Sequence, residues 1–488
     1  ARELHPAAAG RFLSMSTLTF DPGDMADYAR IFVQSDPPQL DEPAFAELIV
    51  ALKSQEILAP NLPLLWRIPA VDGFDGGVLP LKRYIQFLTL LIDADKLVPD
   101  GRLREQVRQV PPGSLLGMLN APYLITDKLR DLWFDGVYYD RQIGATLNGD
   151  ARQQVDIEAR LPFEATHVDI IGYIDTNDYA KDTEMKSALL DDVIVSIADV
   201  EVYTNGAMET LTLFAGGLPG AHLADGALDS EMAEASGAVI AYRDIDSGAQ
   251  AYRARLALSQ AQTPNRLTIH HSGTSADLVI QAVTLFDDRT GMFSALLPSD
   301  RGDYALVHSG DVKVYENRDV QPRAYLTGAW TSVDGPDEAL ALLRSGTLDT
   351  RLHAVVEDAP ADSSLNRTLD GAGNDVGRAQ IVAYAPEEII LHVDVQTADN
   401  EPALLVLSDA FYPGWQATID GTEAPIHATN HLFRGLFVQP GEHTVVFSYR
   451  PQHWRQGVWL SLFGLLILAV LLIGGWSSAF RQPSGLDV

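Results

Sequence analysis

The run Val458–Trp476, VWLSLFGLLILAVLLIGGW, holds 19 residues without a charge, and it limits the chain more than any other feature. At about 1.5 Å per residue a helix of this length reaches ~28 Å, close to the ~30 Å hydrocarbon core of a bilayer. Trp454 and Trp459 stand at one end and Trp476 at the other, where interfacial aromatics belong. These three are the expected membrane anchors. Core helices of globular proteins seldom run so far uncharged, and the position excludes a signal peptide. The tail 477–488 carries one arginine, Arg481, and one aspartate, Asp487, while Arg450 and Arg455 flank the other end. Counting Lys and Arg therefore gives no clear orientation. No second spanning run and no export-type apolar segment occurs upstream of Val458. A large outer domain with a C-terminal anchor needs an export signal. The sequence therefore reads as a processed product or as the C-terminal piece of something longer, in the cell membrane, single-pass, with its large N-terminal part extracytoplasmic.

Composition narrows the partners. Among 488 residues, Lys and Arg number 35 and Asp and Glu 66, so the formal charge is 35 − 66 = −31. Phosphate recognition rests on Lys and Arg, which argues against nucleic acid. The absence of cysteine removes disulfides, thiolate zinc sites, iron–sulfur clusters and cysteine nucleophiles. A hydrophobic content of 46% is ordinary for folded chains.

The pattern along the chain predicts a multi-domain α+β and all-β protein. Residues 1–140 read as a mainly helical cap region, with helices over Asp41–Leu58 and Leu81–Lys96 and a strand at Tyr123–Thr126. From 141 to 290, short β-type runs alternate with Gly, Asn and Asp, including His167–Ile174, Val193–Tyr203, Arg266–His271 and Leu278–Leu285. That spacing suggests a jelly-roll-like β-sandwich. Residues 291–375 form a mixed α/β connector, with a short helix at Asp337–Arg344. Six or seven short strands over 376–450, with a hairpin signal at Asp420-Gly421, predict an immunoglobulin-like membrane-proximal sandwich. The transmembrane helix then occupies 457–476.

One set of motifs supports a resemblance. Phe411-Tyr-Pro-Gly-Trp-Gln416, Ile419-Asp-Gly421, Phe433-Arg434, Val438-Gln-Pro-Gly-Glu-His443 and Val446-Phe-Ser-Tyr-Arg450 follow in that order before the apolar run. Together they resemble the C-terminal extracytoplasmic region of YfhO-type bacterial membrane proteins. Val312–Asn317, Pro322-Arg323-Ala324-Tyr325, Asn61, Asp72–Asp75, Arg83-Tyr84 and Leu119–Tyr123 extend the likeness to about 1–140 and 290–476. The resemblance implies kinship with GT-C-class polytopic glycosyltransferases that use polyprenyl-phosphate sugars to decorate envelope polymers. In such enzymes the membrane body is N-terminal, and the catalytic carboxylate lies in its first external loop. This sequence has one span, so the resemblance speaks for location and architecture, and fold analogy alone does not carry the chemistry.

The candidate site residues follow from their chemistry. Tyr412, Trp415 and Arg434 form a candidate glycan-binding set, since aromatic faces suit sugar rings and a guanidinium suits hydroxyl or phosphate oxygens. The competing reading packs Trp415 into the sandwich core and pairs Arg434 with an acid. Asp175, Asp178 and Asp182 are a candidate calcium set in an acidic loop without the EF-hand spacing. His427 and His431 are four apart but read as strand and turn, not as a zinc-binding helix. Asp244-Ile-Asp246 is short enough to arise by chance in an acidic chain, and the sequon Asn366-Arg-Thr368 carries meaning only in a host that N-glycosylates. No phosphate loop, G-x-S-x-G or nucleophile–base pair occurs, so no catalytic residue is named. Two functions remain open. One is a non-catalytic membrane subunit that binds cell-envelope glycan or docks on other membrane subunits. The other is the C-terminal part of a GT-C-like glycosyltransferase.

Overall fold

The computed structural model describes residues 10–16, 22–73, 80–100, 103–148, 152–175, 195–215, 222–228, 237–244, 248–273, 276–359, 376–397, 401–451 and 453–479. The chain divides into two compact units. One comprises the described residues of 10–80 and 91–321, the other those of 81–90 and 322–479.

In the first unit, helix Glu42–Glu56 begins where the sequence places it. Asp41 caps it by accepting from the Ala44 amide at 2.9 Å, with proline in the first turn. A four-stranded sheet joins Phe12–Ser14, Tyr123–Thr126, Lys313–Asn317 and Tyr304–Ser309 in that order. The hairpin Asp131–Phe134/Val137–Asp140 turns on Asp135-Gly136, both with positive φ. Buried Tyr139 on this hairpin donates to Asp169 at 2.6 Å, and Arg255 grips the same carboxylate at 2.7 Å with two nitrogens.

The described strands between Ala145 and Leu296 form a β-sandwich. One sheet runs His222–Leu223, Met208–Ala215, Val195–Tyr203, Arg266–His271, Gln154–Glu158. The other runs Ile240–Arg243, Gln250–Gln262, Ala165–Asp175, Asp277–Asp287, Met292–Leu296, and Ala145–Leu147 also pairs with Asp277–Asp287. Val155, Val200, Leu213 and Ile269 of the first sheet meet Val168, Ile170, Tyr252 and Val283 of the second in one buried core. The sequence pattern misses the 13-residue strand Gln250–Gln262 (QAYRARLALSQAQ). Alanine and arginine are weak β-formers, which masks the alternation of Tyr252, Ala254, Leu256 and Leu258 with Arg253, Arg255, Ala257 and Ser259; the first four are buried on one face.

The second unit is layered. Sheet one runs Ala324–Thr327, Ala403–Ala410, Phe433–Val438, His427–Thr429, His353–Glu357, Ala329–Val333. Sheet two runs Gly377–Tyr384, Glu388–Val395, Gly441–Tyr449, Trp415–Ile419, Thr422–Ala424. Leu405, Leu407 and Leu436 of the first face Ile389, Leu391, Val445 and Phe447 of the second. Strand Ala403–Ala410 is buried on both faces except at its last residue, which explains its unbroken apolar start. Strands Ala329–Val333 and His353–Glu357 pair in parallel through helix Pro336–Arg344. The Asp420-Gly421 hairpin forms as expected, with φ of 52° and 82°.

The helix expected over Leu81–Lys96 is shorter, Lys82–Leu88. Thr89 closes it by bonding its hydroxyl to Gln86 O at 2.6 Å, a side-chain bond that competes with the helical ladder. Its Phe87 ring meets Phe433 at 5.8 Å, so this fragment of the N-terminal sequence belongs to the C-terminal unit.

The apolar helix spans Trp454–Ala479. None of its window Gln456–Ile473 is buried by protein. A core helix would be covered on most of its surface, so this one anchors the chain in a membrane.

Candidate functional site

The motif Phe411-Tyr-Pro-Gly-Trp415 forms a turn at the end of strand Ala403–Ala410. The Phe411 amide donates to Leu432 O at 2.7 Å, and the Arg450 amide donates to Gly414 O at 2.7 Å. Gly414 sits at φ +104°, where a Cβ would stand 3.0 Å from the Tyr449 ring and 3.2 Å from Pro451 Cα. Only glycine allows the turn to close on the segment that leads to Trp454. Trp415 packs on Tyr449 at 5.4 Å and Tyr412 on the same ring at 6.4 Å. Phe411, Tyr412, Pro413, Trp415, Glu423 and Ile426 line a cleft of about 310 Å³. Tyr412 and Glu423 are exposed, while Trp415 is half-buried and packs against the sandwich core, as the competing reading of Trp415 has it.

A buried charge cluster braces this cleft from below. Asp409 accepts from Arg323 Nη2 at 2.8 Å and Nε at 3.2 Å, and from the Tyr384 hydroxyl at 3.2 Å. Arg434 Nη2 approaches the same carboxylate at 3.4 Å. The Arg434 guanidinium is stacked 3.9 Å over Trp415 and 5.3 Å from Phe447. With 3% of its surface exposed, Arg434 lies beneath the cleft rather than in it. Of the two sequence readings of Arg434, the geometry matches the ion pair within the domain. Its charge holds the underside of Trp415, a cation–π contact in a desolvated place.

A second buried cluster adjoins Phe411. Arg83 forms a forked pair with Glu357 at 2.7 and 2.8 Å, donates to His431 O at 2.7 Å and lies 5.2 Å over the Phe411 ring. His431 is fully buried, its Nδ1 donating to Pro336 O at 3.2 Å. Burial, aided by the nearby Arg83 charge, lowers its basicity below that of an ordinary histidine. His427 is lowered by burial as well. The two do not share a metal: His427 faces Phe437 and His431 faces Pro336.

Asp409, Glu357, Tyr384 and the roles of Arg83 and Arg323 escape sequence reading, because each partner lies far along the chain. The Arg-containing motifs Arg83-Tyr84 and Pro322-Arg323 were the only local signal.

The first unit carries its own cleft, of about 630 Å³, walled by Arg108, Arg130, Arg141, Asp175, Asp277 and Asp300 among others. Asp277 lies directly opposite Asp175 across paired strands, and burial together with the Asp175 charge raises its carboxyl above the usual range. Asp178 and Asp182, the other members of the expected calcium set, lie outside the described residues, as do Asp246 and Asn366–Thr368. Among the described residues no three His, Asp or Glu side chains gather as a metal would need. Of the expected membrane anchors, Trp454 and Trp459 are exposed on the apolar helix; the Trp476 side chain lies outside the description.

Residues 368–461, which contain the cleft motif, its strands and the start of the apolar helix, match the family described as bacterial membrane protein YfhO. This is a YfhO-type C-terminal region. No curated protein matches the chain. Among solved structures, the arabinofuranosyltransferase AftD from Mycobacteria shares 11% identity at a TM-score of 0.17, over 74% of this chain and 26% of that one. A mutant form of the same enzyme gives 11% identity and a TM-score of 0.17, over 67% of this chain and 40% of that one. The chain thus spans about a quarter of the length of the first structure. At that TM-score the likeness decides neither fold nor chemistry. The YfhO match alone identifies the region, and it joins the aromatic cleft and the apolar helix in one membrane-protein segment.

Proposed function

We propose that this YfhO-type region is a membrane-anchored, extracytoplasmic module that holds cell-envelope glycan in the Phe411–Trp415 cleft. The observation that carries this reading is the cleft itself: exposed Tyr412 and half-buried Trp415 beside Glu423, on a floor stiffened by Arg434, Asp409 and Arg323. Aromatic faces stack on sugar rings, a carboxylate accepts from hydroxyls, and a rigid floor lowers the entropy cost of binding. Its volume falls at the lower end of small-ligand pockets, enough for one or two sugar rings. The turn is tied to Tyr449–Pro451, so a held polymer lies close to where the chain enters the apolar helix.

The family match favours a second reading of the same module. It serves as the C-terminal part of a GT-C-like, polyprenyl-phosphate-sugar-dependent glycosyltransferase and positions the acceptor polymer, with catalysis outside this region. One experiment addresses both. The full chain in lipid nanodiscs is run in affinity gels containing purified envelope polysaccharide, with Tyr412→Ala beside it. Retardation lost in the variant supports glycan holding, and equal mobility of both proteins overturns it. Peptide sequencing of the native membrane complex then separates the two readings. Hydrophobic-span peptides continuous with Ala1 support the glycosyltransferase, and co-migrating unrelated subunits support the accessory role.

A further inference from the structure

The geometry points to a second membrane contact, a pinned apolar loop at Leu64-Leu65-Trp66-Arg67-Ile68 that dips into the lipid headgroup region. This rests on the anchoring helix, not on the glycan reading.

The segment leaves helix Glu42–Glu56 and forms one 3-10 turn, Leu62–Trp66, between Asn61 and Arg67, both at positive φ. Its inner side is Pro63, which is buried. Its outer side is the reverse of what water favours. Leu64 is 71% exposed, Leu65 74%, Trp66 49% and Ile68 39%. Four neighbouring apolar side chains presented together are a binding surface or a liability.

The loop is held in place rather than loose. Buried Arg104 donates to Ile57 O at 3.2 Å and Leu58 O at 2.9 Å, where the loop begins, and pairs with Asp72 at 2.8 and 3.2 Å, where it ends. One guanidinium thus closes the base of the loop. The Phe12 amide donates to Pro69 O at 3.2 Å and the Val71 amide to Phe12 O at 2.9 Å, fixing the returning limb. A surface pre-shaped in this way binds without first losing chain entropy.

Charge selects lipid as the occupant. At the chain's acidic frequency, 66 in 488, a stretch of this length would carry about two acids. From Ile57 to Val71 there is none, and Arg67 stands exposed among the apolar residues. Leucines with an interfacial tryptophan and one cation suit acyl chains, the headgroup boundary and a phosphate respectively. The apolar helix already keeps the chain at a bilayer, so a weak second contact is made at high effective concentration.

The test uses the absence of native cysteine. Full-length Leu65→Cys, Leu64→Cys and Gln260→Cys variants each receive one environment-sensitive fluorophore and are reconstituted in phosphatidylcholine–phosphatidylglycerol vesicles. Trp459→Cys reports the helix. Leu64, Leu65 and Gln260 are exposed, so labels there displace no core contact. The expected result is blue-shifted emission at 64 and 65, with about half of it lost to doxyl-labelled lipid and little to aqueous iodide, while 260 behaves oppositely. Iodide quenching at 64 and 65, with lipid quenching at 459, overturns the proposal and leaves the anchor intact. Shielding of 64 and 65 from both quenchers overturns it in favour of a protein partner. Loss of lipid quenching at 459 removes the anchor and the loop contact together.

Discussion

Replacing Asp409 with asparagine tests whether the buried charge cluster supports the cleft. The carboxylate is 7% exposed and serves two guanidiniums, Arg323 at 2.8 Å and Arg434 at 3.4 Å, whose side chains are 8% and 3% exposed. Asparagine keeps the volume and one carbonyl acceptor but removes the charge. Both arginines would then lie buried with their shared counter-charge gone. Breaking a buried pair in this way costs about 3–5 kcal/mol, mostly as the penalty on the charge left behind. Hydrogen exchange followed by mass spectrometry reads the effect locally, on peptides covering Ala403–Ala410 and Phe433–Val438, where the flanking strands pair. The slowest amides there should exchange roughly a hundredfold faster or more. The triple change Arg323→Met, Asp409→Leu, Arg434→Met should recover most of that protection, because apolar groups of similar volume replace buried ions well. Exchange altered by no more than about twofold in Asp409→Asn, within the range of ordinary surface substitutions, would refute the reasoning.

Other consequences are equally direct. Tyr412→Ala, at an exposed position, should weaken polysaccharide retardation about tenfold while leaving exchange in both sheets nearly unchanged, since besides the stacking face it loses only the tilted ring contact with Tyr449. Gly414→Ala should destabilise the turn by about 1–3 kcal/mol, read as faster exchange at Trp415–Ile419 and Gly441–Tyr449, because a Cβ meets Tyr449 and Pro451 at a positive φ. The second unit should lose stability as pH falls from about 7 toward 5. His427 and His431 are held neutral in the fold by burial, while the unfolded chain takes up protons below about 6.5, so lowering pH favours unfolding. His431→Gln should flatten that slope in exchange measured across the window; an unchanged slope would exclude His431 as a contributor.

Much of the architecture lies close to the surface of the sequence. The uncharged 19-residue run, the Asp41 cap, the Asp420-Gly421 turn and the alternation at Ile389, Leu391, Val393 and Val395 are local signals, and each yields the element it implies. They are legible because backbone geometry, turn chemistry and apolar spacing act over a few residues. Strand Gln250–Gln262 is hidden because its residues are weak β-formers and only its partners Ala165–Asp175 and Ile240–Arg243 make it one.

The candidate sites divide along the same line. That Tyr412 and Trp415 lie in a turn shortly before the apolar helix follows from the motif and the span after it. That Arg434 serves the cleft from beneath depends on Asp409 and on Arg323, which lies 86 residues before Asp409. Arg83 meets its acid Glu357 across 274 residues, and Arg104 closes the base of the Leu64–Ile68 loop from more than 30 residues downstream. A charge's partner is set by which strands and helices the core brings together, and no local pattern encodes that. The sequence alone determined a membrane-anchored, β-rich chain with an aromatic turn beside its anchor. The tertiary structure decided which arginines became buried braces and which apolar residues were left facing outward, because burial is a property of packed elements rather than of residues.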